Sequence, residues 1–139
     1  MLYLKEANLE DWKKEYEAIK QIPQNENGFE NKYYDKTEEE FREQVIPQLI
    51  EHSKGIGLPN GYVPNTYYFL WDADKIVGLF KIRHYLNEFL ANGPGHIGYS
   101  ILTDFRKKGY ATRGLKLAID KCKKIIFEDE IYLSVHKNN

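Results

Sequence analysis

The chain has a single cysteine, Cys122, among its 139 residues. One thiol excludes an intramolecular disulfide framework. Because Cys122 lies on the apolar side of a predicted helix, we expect a buried structural thiol rather than a nucleophile. An excess of charge of either sign is also missing, since 20 basic and 21 acidic side chains leave a net charge of -1. No overall electrostatic field therefore directs the chain to nucleic acid or to an anionic membrane.

Long apolar runs are absent as well. The most apolar stretch, residues 67–71, is too short to span a bilayer, and the first six residues lack the basic and then apolar composition of a signal peptide. We therefore expect a cytoplasmic protein that makes no membrane contact, with residues 1–139 forming a single domain. The four histidines show no ligand-like spacing with cysteines or carboxylates, so we predict no metal site.

The strongest secondary-structure signal is a strand, a turn and a helix between residues 96 and 126. Residues 96–101 form the predicted strand, and the turn carries three consecutive basic residues followed by a glycine. The helix is predicted because apolar residues recur three and four apart on one face. That face consists of Ala111, Leu115, Ala118, Ile119, Cys122, Ile125 and Ile126.

Positive charge gathers at the start of this helix. Arg106, Lys107 and Lys108 approach it, and Arg113 follows in its first turn. A helix N-terminus carries partial positive charge and favours acidic side chains, so this arrangement is self-repulsive unless an anion binds there. Free backbone N–H groups next to Gly109 are typical of a phosphate site. The alternative is a solvated basic turn in which Gly109 only relaxes the backbone.

Two other phosphate motifs do not apply. Gly109 and Gly114 have the spacing of P-loop glycines, but Leu115 and Lys116 follow where a lysine and then a serine or threonine are required. The glycine-rich residues 93–98 lead into a strand, whereas the dinucleotide-binding pattern must leave a strand and enter a helix.

Residues 106–111, Arg-Lys-Lys-Gly-Tyr-Ala, resemble the Arg/Gln-x-x-Gly-x-Gly/Ala signature of the GNAT superfamily of acetyl-CoA-dependent N-acetyltransferases. The preceding strand is similar to the fourth strand of that family. The resemblance implies that the end of the strand binds the pantetheine arm and that the turn binds the pyrophosphate of acetyl-CoA. The residues implied for the arm are Ile101, Leu102 and Thr103, and those implied for the pyrophosphate are Arg106, Lys107, Lys108, Gly109, Tyr110, Ala111 and Thr112.

The rest of the chain predicts further elements in order. Residues 2–5 alternate as a strand, Asn8 has the character of a helix N-cap, and residues 24–36 form a polar loop. Thr37 and Glu40 make a capping box at the start of a second helix, which Pro47 should kink or divide. Residues 66–72 and 76–84 read as a hairpin, and residues 131–135 as a fifth strand.

These elements have the order β-α-α-β-β-β-α-β. They predict an α+β fold with a GNAT-like mixed, mainly antiparallel sheet flanked by helices. Members of that family continue with a further helix and two strands, whereas this chain ends at Asn139, so we expect a domain incomplete at its C-terminus. The exposed strand at residues 131–135 would then be an edge able to pair with a second copy, which predicts a possible homodimer.

The resemblance also implies an acceptor pocket lined by the first two helices and their linking loop. There a neutral amine attacks the thioester after a base has removed its proton. His84, at a strand end, and Glu88, just after it, are the candidate bases. A strand-end histidine next to Arg83 is equally compatible with an ordinary surface position.

The leading hypothesis is an N-acetyltransferase that transfers the acetyl group of acetyl-CoA to a primary amine of a small molecule or peptide. The alternative is a catalytically silent acyl-CoA-binding or protein-interaction module. A nucleic-acid binder using the basic turn is disfavoured by the near-neutral charge and by the lack of aromatic side chains beside the turn.

Overall fold

A computed structural model describes residues 1–26, 29–85 and 96–125. Its strands are β1 (Leu2–Glu6), β2 (Asn25–Glu26), β3 (Phe29–Glu30), β4 (Asn65–Asp72), β5 (Lys75–Arg83) and β6 (Ile97–Ile101). Its α-helices are α1 (Trp12–Lys20), α2 (Glu38–Glu40), α3 (Ile46–Ser53) and α4 (Tyr110–Ile125). In these ranges every helix is too short or too polar to cross a bilayer.

Four of the strands form one sheet in the order β1-β4-β5-β6, with each neighbouring pair antiparallel. This arrangement, with helices on both faces, confirms the predicted α+β fold with a mainly antiparallel sheet. The predicted hairpin is also confirmed, and Ala73 in its turn has a left-handed φ of 55°. The predicted fifth strand at residues 131–135 lies outside the described residues, so dimerisation through it stays a prediction.

The two faces of the sheet pack against different helices. Tyr67, Phe69 and Trp71 of β4 share one hydrophobic cluster with α1 and α3. Tyr68 and Leu70 belong to the opposite face, which packs against α4. Because both faces are covered, residues 65–71 are all buried and the strand reads as a nearly continuous apolar run.

Helix α4 approaches the sheet most closely at Gly114. A Cβ atom at this position would lie 2.7 Å from the ring of Phe80 and 2.8 Å from Leu70. The predicted apolar face is confirmed at Ala118 and Cys122, which are fully buried. Apolar periodicity missed Gly114 because a glycine carries no side chain to count.

The second helix changes its hydrogen-bond pattern before Pro47. Thr37 and Glu40 form the predicted capping box. Residues Phe41–Val45 are π-helical, and α3 then begins with Pro47 in its first turn. Because proline has no N–H to continue a helical ladder, the division predicted at Pro47 is confirmed.

The prediction of a structureless loop at residues 24–36 was wrong in part. The two-residue strands β2 and β3 form a small antiparallel hairpin there, and Phe29 is buried in the core. Asn31 donates hydrogen bonds to the carbonyls of Ile19 at 3.0 Å and Ile22 at 2.7 Å, which closes the end of α1. Strands this short carry too few residues for a readable alternation.

Candidate functional site

Strand β6 presents one backbone edge away from β5. Two hydrogen bonds bracket the strand pair, from Arg83 N to His96 O at 2.7 Å and from Leu102 N to Val77 O at 2.9 Å. Because bonded and non-bonded pairs alternate in an antiparallel ladder, the amides and carbonyls of residues 97, 99 and 101 point to the outer edge. Among the described strands, β6 is the last of the sheet. A ligand chain that contains amides could therefore bond this edge as another strand would.

The chain turns sharply after β6. Leu102 O accepts a hydrogen bond from Phe105 N at 2.8 Å, and Thr103 O accepts one from Arg106 N at 3.3 Å. Lys107 and Gly109 then adopt left-handed φ values of 64° and 82°. For a residue with a side chain this conformation costs about 1 kcal/mol or more. The strained backbone of Lys107 thus lies within the turn that the sequence marked as an anion site.

The start of α4 carries a run of backbone N–H groups without acceptors. Within the described ranges, no backbone or side-chain atom accepts a hydrogen bond from the amides of residues 107–112. The first internal bond of the helix runs from Arg113 N to Gly109 O at 3.1 Å. A Cβ atom at Gly109 would meet nothing within 4 Å, so the approach to these amides is open. Such a set of N–H groups at a helix N-terminus is suited to binding an anion.

Arg106 connects the strand to this turn. Its Nε donates a hydrogen bond to the carbonyl of Ile101 at 3.0 Å, and its side chain is half-buried. The contact joins the end of the outer edge of β6 to the residues just before the free amides.

Tyr110 anchors the first turn of α4 to the sheet. Its hydroxyl donates a hydrogen bond to Oδ2 of Asp72, at the end of β4, at 2.5 Å. This bond to a carboxylate raises the pKa of the Tyr110 phenol, because it stabilises the protonated form. The ring of Phe105 lies 6.1 Å away, and the guanidinium of Arg113 lies 5.0 Å from the Tyr110 ring.

A family model of the GNAT acetyltransferases matches residues 9–139. The chain belongs to the acetyltransferase (GNAT) family. No curated protein matches it by sequence.

Solved GNAT structures share the fold. The ribosomal L7/L12 alpha-N-protein acetyltransferase RimL, in complex with coenzyme A, is 18% identical with a TM-score of 0.59, over 86% of this chain and 62% of that one. A Salmonella typhimurium acetyltransferase that modifies the N-terminal serine of the same ribosomal protein is 16% identical with a TM-score of 0.59, over 90% and 66%.

A chimera of the spermidine N-acetyltransferase SpeG from Vibrio cholerae is 16% identical with a TM-score of 0.56, over 89% of this chain and 64% of that one. The chain thus spans less than two thirds of the length of each of these three structures.

Of the residues that the GNAT resemblance assigns to the coenzyme, those from Ile101 to Thr112 lie together along the end of β6, the turn and the start of α4. Ile101 contributes to the outer edge of β6. Leu102 uses both its amide and its carbonyl within the protein, and Thr103 is exposed at the start of a single 3₁₀ turn.

The candidate base His84 lies elsewhere on the sheet. It follows β5 directly, six residues after Gly78, the partner of Ile101, which is about 20 Å along the strand. Its Nε2 is 2.8 Å from Oγ1 of Thr66, and burial lowers its pKa. The other candidate, Glu88, lies outside the described residues.

A cavity of about 150 Å³ opens on the face of the sheet that packs against α1 and α3. Its walls come from the segment that links the first two helices, from α3, from the segment before β4, and from β4 and β5. This is the side on which the GNAT resemblance implies an acceptor pocket. The lining residues are Lys32, Tyr33, Gln48, His52, Pro59, Tyr62, Asn65, Tyr67 and Lys81.

Lys81 is the residue of this cavity that sequence reasoning missed. Burial lowers the pKa of its ammonium group to about 7, and the positive charges of Arg83 and Lys32 act in the same direction. A lysine within a predicted strand reads as part of a solvated face. The available signal was the apolar character of both faces of residues 76–82, which made a solvated position for Lys81 improbable.

Proposed function

We propose that this chain is an acetyl-CoA-dependent N-acetyltransferase that acetylates a primary amine of a small molecule or peptide. The observation that carries the proposal is the run of amides without acceptors at residues 107–112, beside the outer edge of β6. Membership of the GNAT family supports the same reaction. We also propose that residues 1–139 act as one domain.

In this proposal the start of α4 holds the pyrophosphate of acetyl-CoA. The amides of residues 107–112 donate hydrogen bonds to phosphate oxygens, and the nearby cations Lys107, Lys108 and Arg113 reduce the repulsion between the phosphates. The outer edge of β6 offers the backbone groups of Tyr99 and Ile101 to the amides of the pantetheine arm. Acetyl-CoA supplies the activated acetyl group.

We propose His84 and Glu88 as the candidate bases for the amine. A base must be unprotonated at the working pH, and the lowered pKa of His84 keeps its imidazole neutral near pH 7. The hydroxyl of Thr66 fixes the orientation of the ring. Removal of the ammonium proton leaves a neutral amine able to attack the thioester carbonyl.

The test is thiol release from acetyl-CoA in the presence of a panel of amines. The proposal predicts release that depends on the amine, and a loss of kcat in His84→Gln or Glu88→Gln with acetyl-CoA affinity unchanged. Thr66→Val removes the contact to His84 without removing the imidazole, so it should reduce the rate less than His84→Gln does.

The outcomes of this test separate the alternatives. Binding of acetyl-CoA without thiol release for any amine would indicate a silent acyl-CoA-binding module. A folded protein that shows neither binding nor thiol release would contradict the proposed function.

A further inference from the structure

The cavity on the α1 and α3 face carries an unbalanced positive charge. Lys32 and Lys81 line it, and neither forms a hydrogen bond or an ion pair with any residue that the structure describes. Arg83 adds a third positive charge that acts on Lys81. The acidic group that opposes these charges is Glu30, whose side chain is exposed to solvent. Cations removed from water without a paired anion are costly, so the site favours an incoming negative charge.

Aromatic rings hold the two ammonium groups at the wall of the cavity. Lys32 Nζ lies 3.8 Å from the ring centroid of Tyr62, and Lys81 Nζ lies 5.6 Å from the same ring and 5.7 Å from that of Tyr67. Such cation–π contacts orient an ammonium group without neutralising its charge. The two lysines are therefore placed in advance while their capacity to donate hydrogen bonds remains available.

The size of the cavity limits what it can hold. A volume of about 150 Å³ equals that of engineered protein cavities that take up one benzene molecule. It therefore suits one group of side-chain size. The hydroxyl of Tyr33 and the amide of Gln48, 3.4 Å apart, add polar groups to its wall.

The cavity is also close to β6. Lys81 pairs with Gly98, which precedes Ile101 by three residues, or about 10 Å along the strand. A distance of this size is spanned by an amino acid or a short peptide. A group held at Lys81 could thus belong to a molecule whose amine lies near the outer edge of β6.

We propose that this cavity binds a carboxylate of the amine acceptor through Lys32 and Lys81. The acceptor class is then a carboxylate-bearing amine, either an amino acid or a peptide with an acidic residue at its N-terminus. The proposal rests on the N-acetyltransferase function. A polyamine does not fit the cavity, because its charges repel those of the two lysines.

The experiment compares acceptors that differ only in the acidic group. Free glutamate is paired with glutamine, a peptide beginning Glu-Ala-Ala with one beginning Gln-Ala-Ala, and putrescine serves as the polycation. Because a hydrogen bond to a charged group contributes about 1.5–3 kcal/mol, we expect kcat/KM for thiol release to favour the acid about tenfold or more. Lys81→Met and Lys32→Met should remove this preference without changing the rate for the amide partner.

Lys75→Met is the matched control, since Lys75 is an exposed lysine on the same strand. It should keep the full preference for the acid. Lys81→Met removes a buried charge and is expected to fold. A preference confined to glutamate would identify a small-molecule acceptor and one confined to the peptide a protein terminus, and both would support the subsite. Equal rates for acid and amide, a preference that survives Lys81→Met, or faster transfer to putrescine would overturn it.

A binding measurement separates this inference from the proposed function. Calorimetry with N-acetylglutamate and N-acetylglutamine requires no turnover. If no amine is acetylated but N-acetylglutamate binds in a manner that depends on Lys81, the acidic subsite stands and the N-acetyltransferase proposal fails. If amines are acetylated and N-acetylglutamate binds no better than its amide, the reverse holds. If neither is observed, both fail.

Discussion

The hydroxyl of Tyr110 donates a hydrogen bond of 2.5 Å to Asp72, a residue 38 positions earlier in the chain. The bond joins the first residue of α4 to the last residue of β4. It therefore fixes the start of the helix, where the free amides lie, relative to the sheet. The side chain of Tyr110 positions the candidate coenzyme site, while its backbone amide is part of that site.

We predict that Tyr110→Phe weakens acetyl-CoA binding by a factor of a few. The substitution keeps the ring but removes the bond to Asp72, so the start of α4 becomes less restrained. Calorimetric titration of both proteins measures the effect. Tyr34→Phe, at an exposed tyrosine, is the control and should bind normally. Equal affinities of wild type and Tyr110→Phe would show that this bond does not position the amides.

Gly114→Ala should destabilise the protein, by about 1–3 kcal/mol. The added methyl group would lie 2.7 Å from the ring of Phe80, so α4 or the ring must move. Replacing glycine by alanine inside a helix otherwise stabilises it by about 1 kcal/mol, so the predicted sign is opposite to the propensity effect. Urea unfolding measures the change, with Lys116→Ala at an exposed position of the same helix as the control. An unchanged or higher stability would contradict the close packing at Gly114.

Much of the fold and of the anion site was predictable because the signals are local. The capping box, Pro47, the hairpin and the basic turn at residues 106–108 each depend on chemistry within a few residues. Gly114 and Lys81 were missed because their importance depends on contacts with distant strands and loops. The bond from Arg106 to Ile101 was likewise invisible, since spacing does not show where a long side chain folds back.

Glu15 predicts a specific dependence of stability on pH. Its side chain is fully buried, and burial raises its pKa from 4.5 to about 8, although the amide of Asn8 donates to its carboxylate and partly offsets the effect. Between these two values the folded protein retains a proton that the unfolded chain releases. The stabilising contribution is therefore complete below pH 4.5 and is lost as the pH rises through 8.

Glu15→Gln should remove this dependence. Because one pKa unit corresponds to about 1.4 kcal/mol, the variant should be more stable than wild type by up to a few kcal/mol at pH 8 and nearly equal to it at pH 4. Urea unfolding across this range measures the difference, and Glu17→Gln at an exposed position of α1 is the control. A constant difference between wild type and Glu15→Gln at all pH values would show that Glu15 does not titrate as described.

The most direct test of the coenzyme site is calorimetric titration of this chain with acetyl-CoA, with desulfo-CoA and ATP as controls for the pantetheine arm and for phosphate alone. We expect acetyl-CoA and desulfo-CoA to bind and ATP to bind much more weakly. Gly109→Trp places an indole in the open space before the amides and should abolish binding. Gly57→Trp, at another left-handed glycine with no neighbour within 4 Å, should leave it intact. Unchanged acetyl-CoA affinity in Gly109→Trp would contradict the assignment of residues 107–112 as the pyrophosphate site.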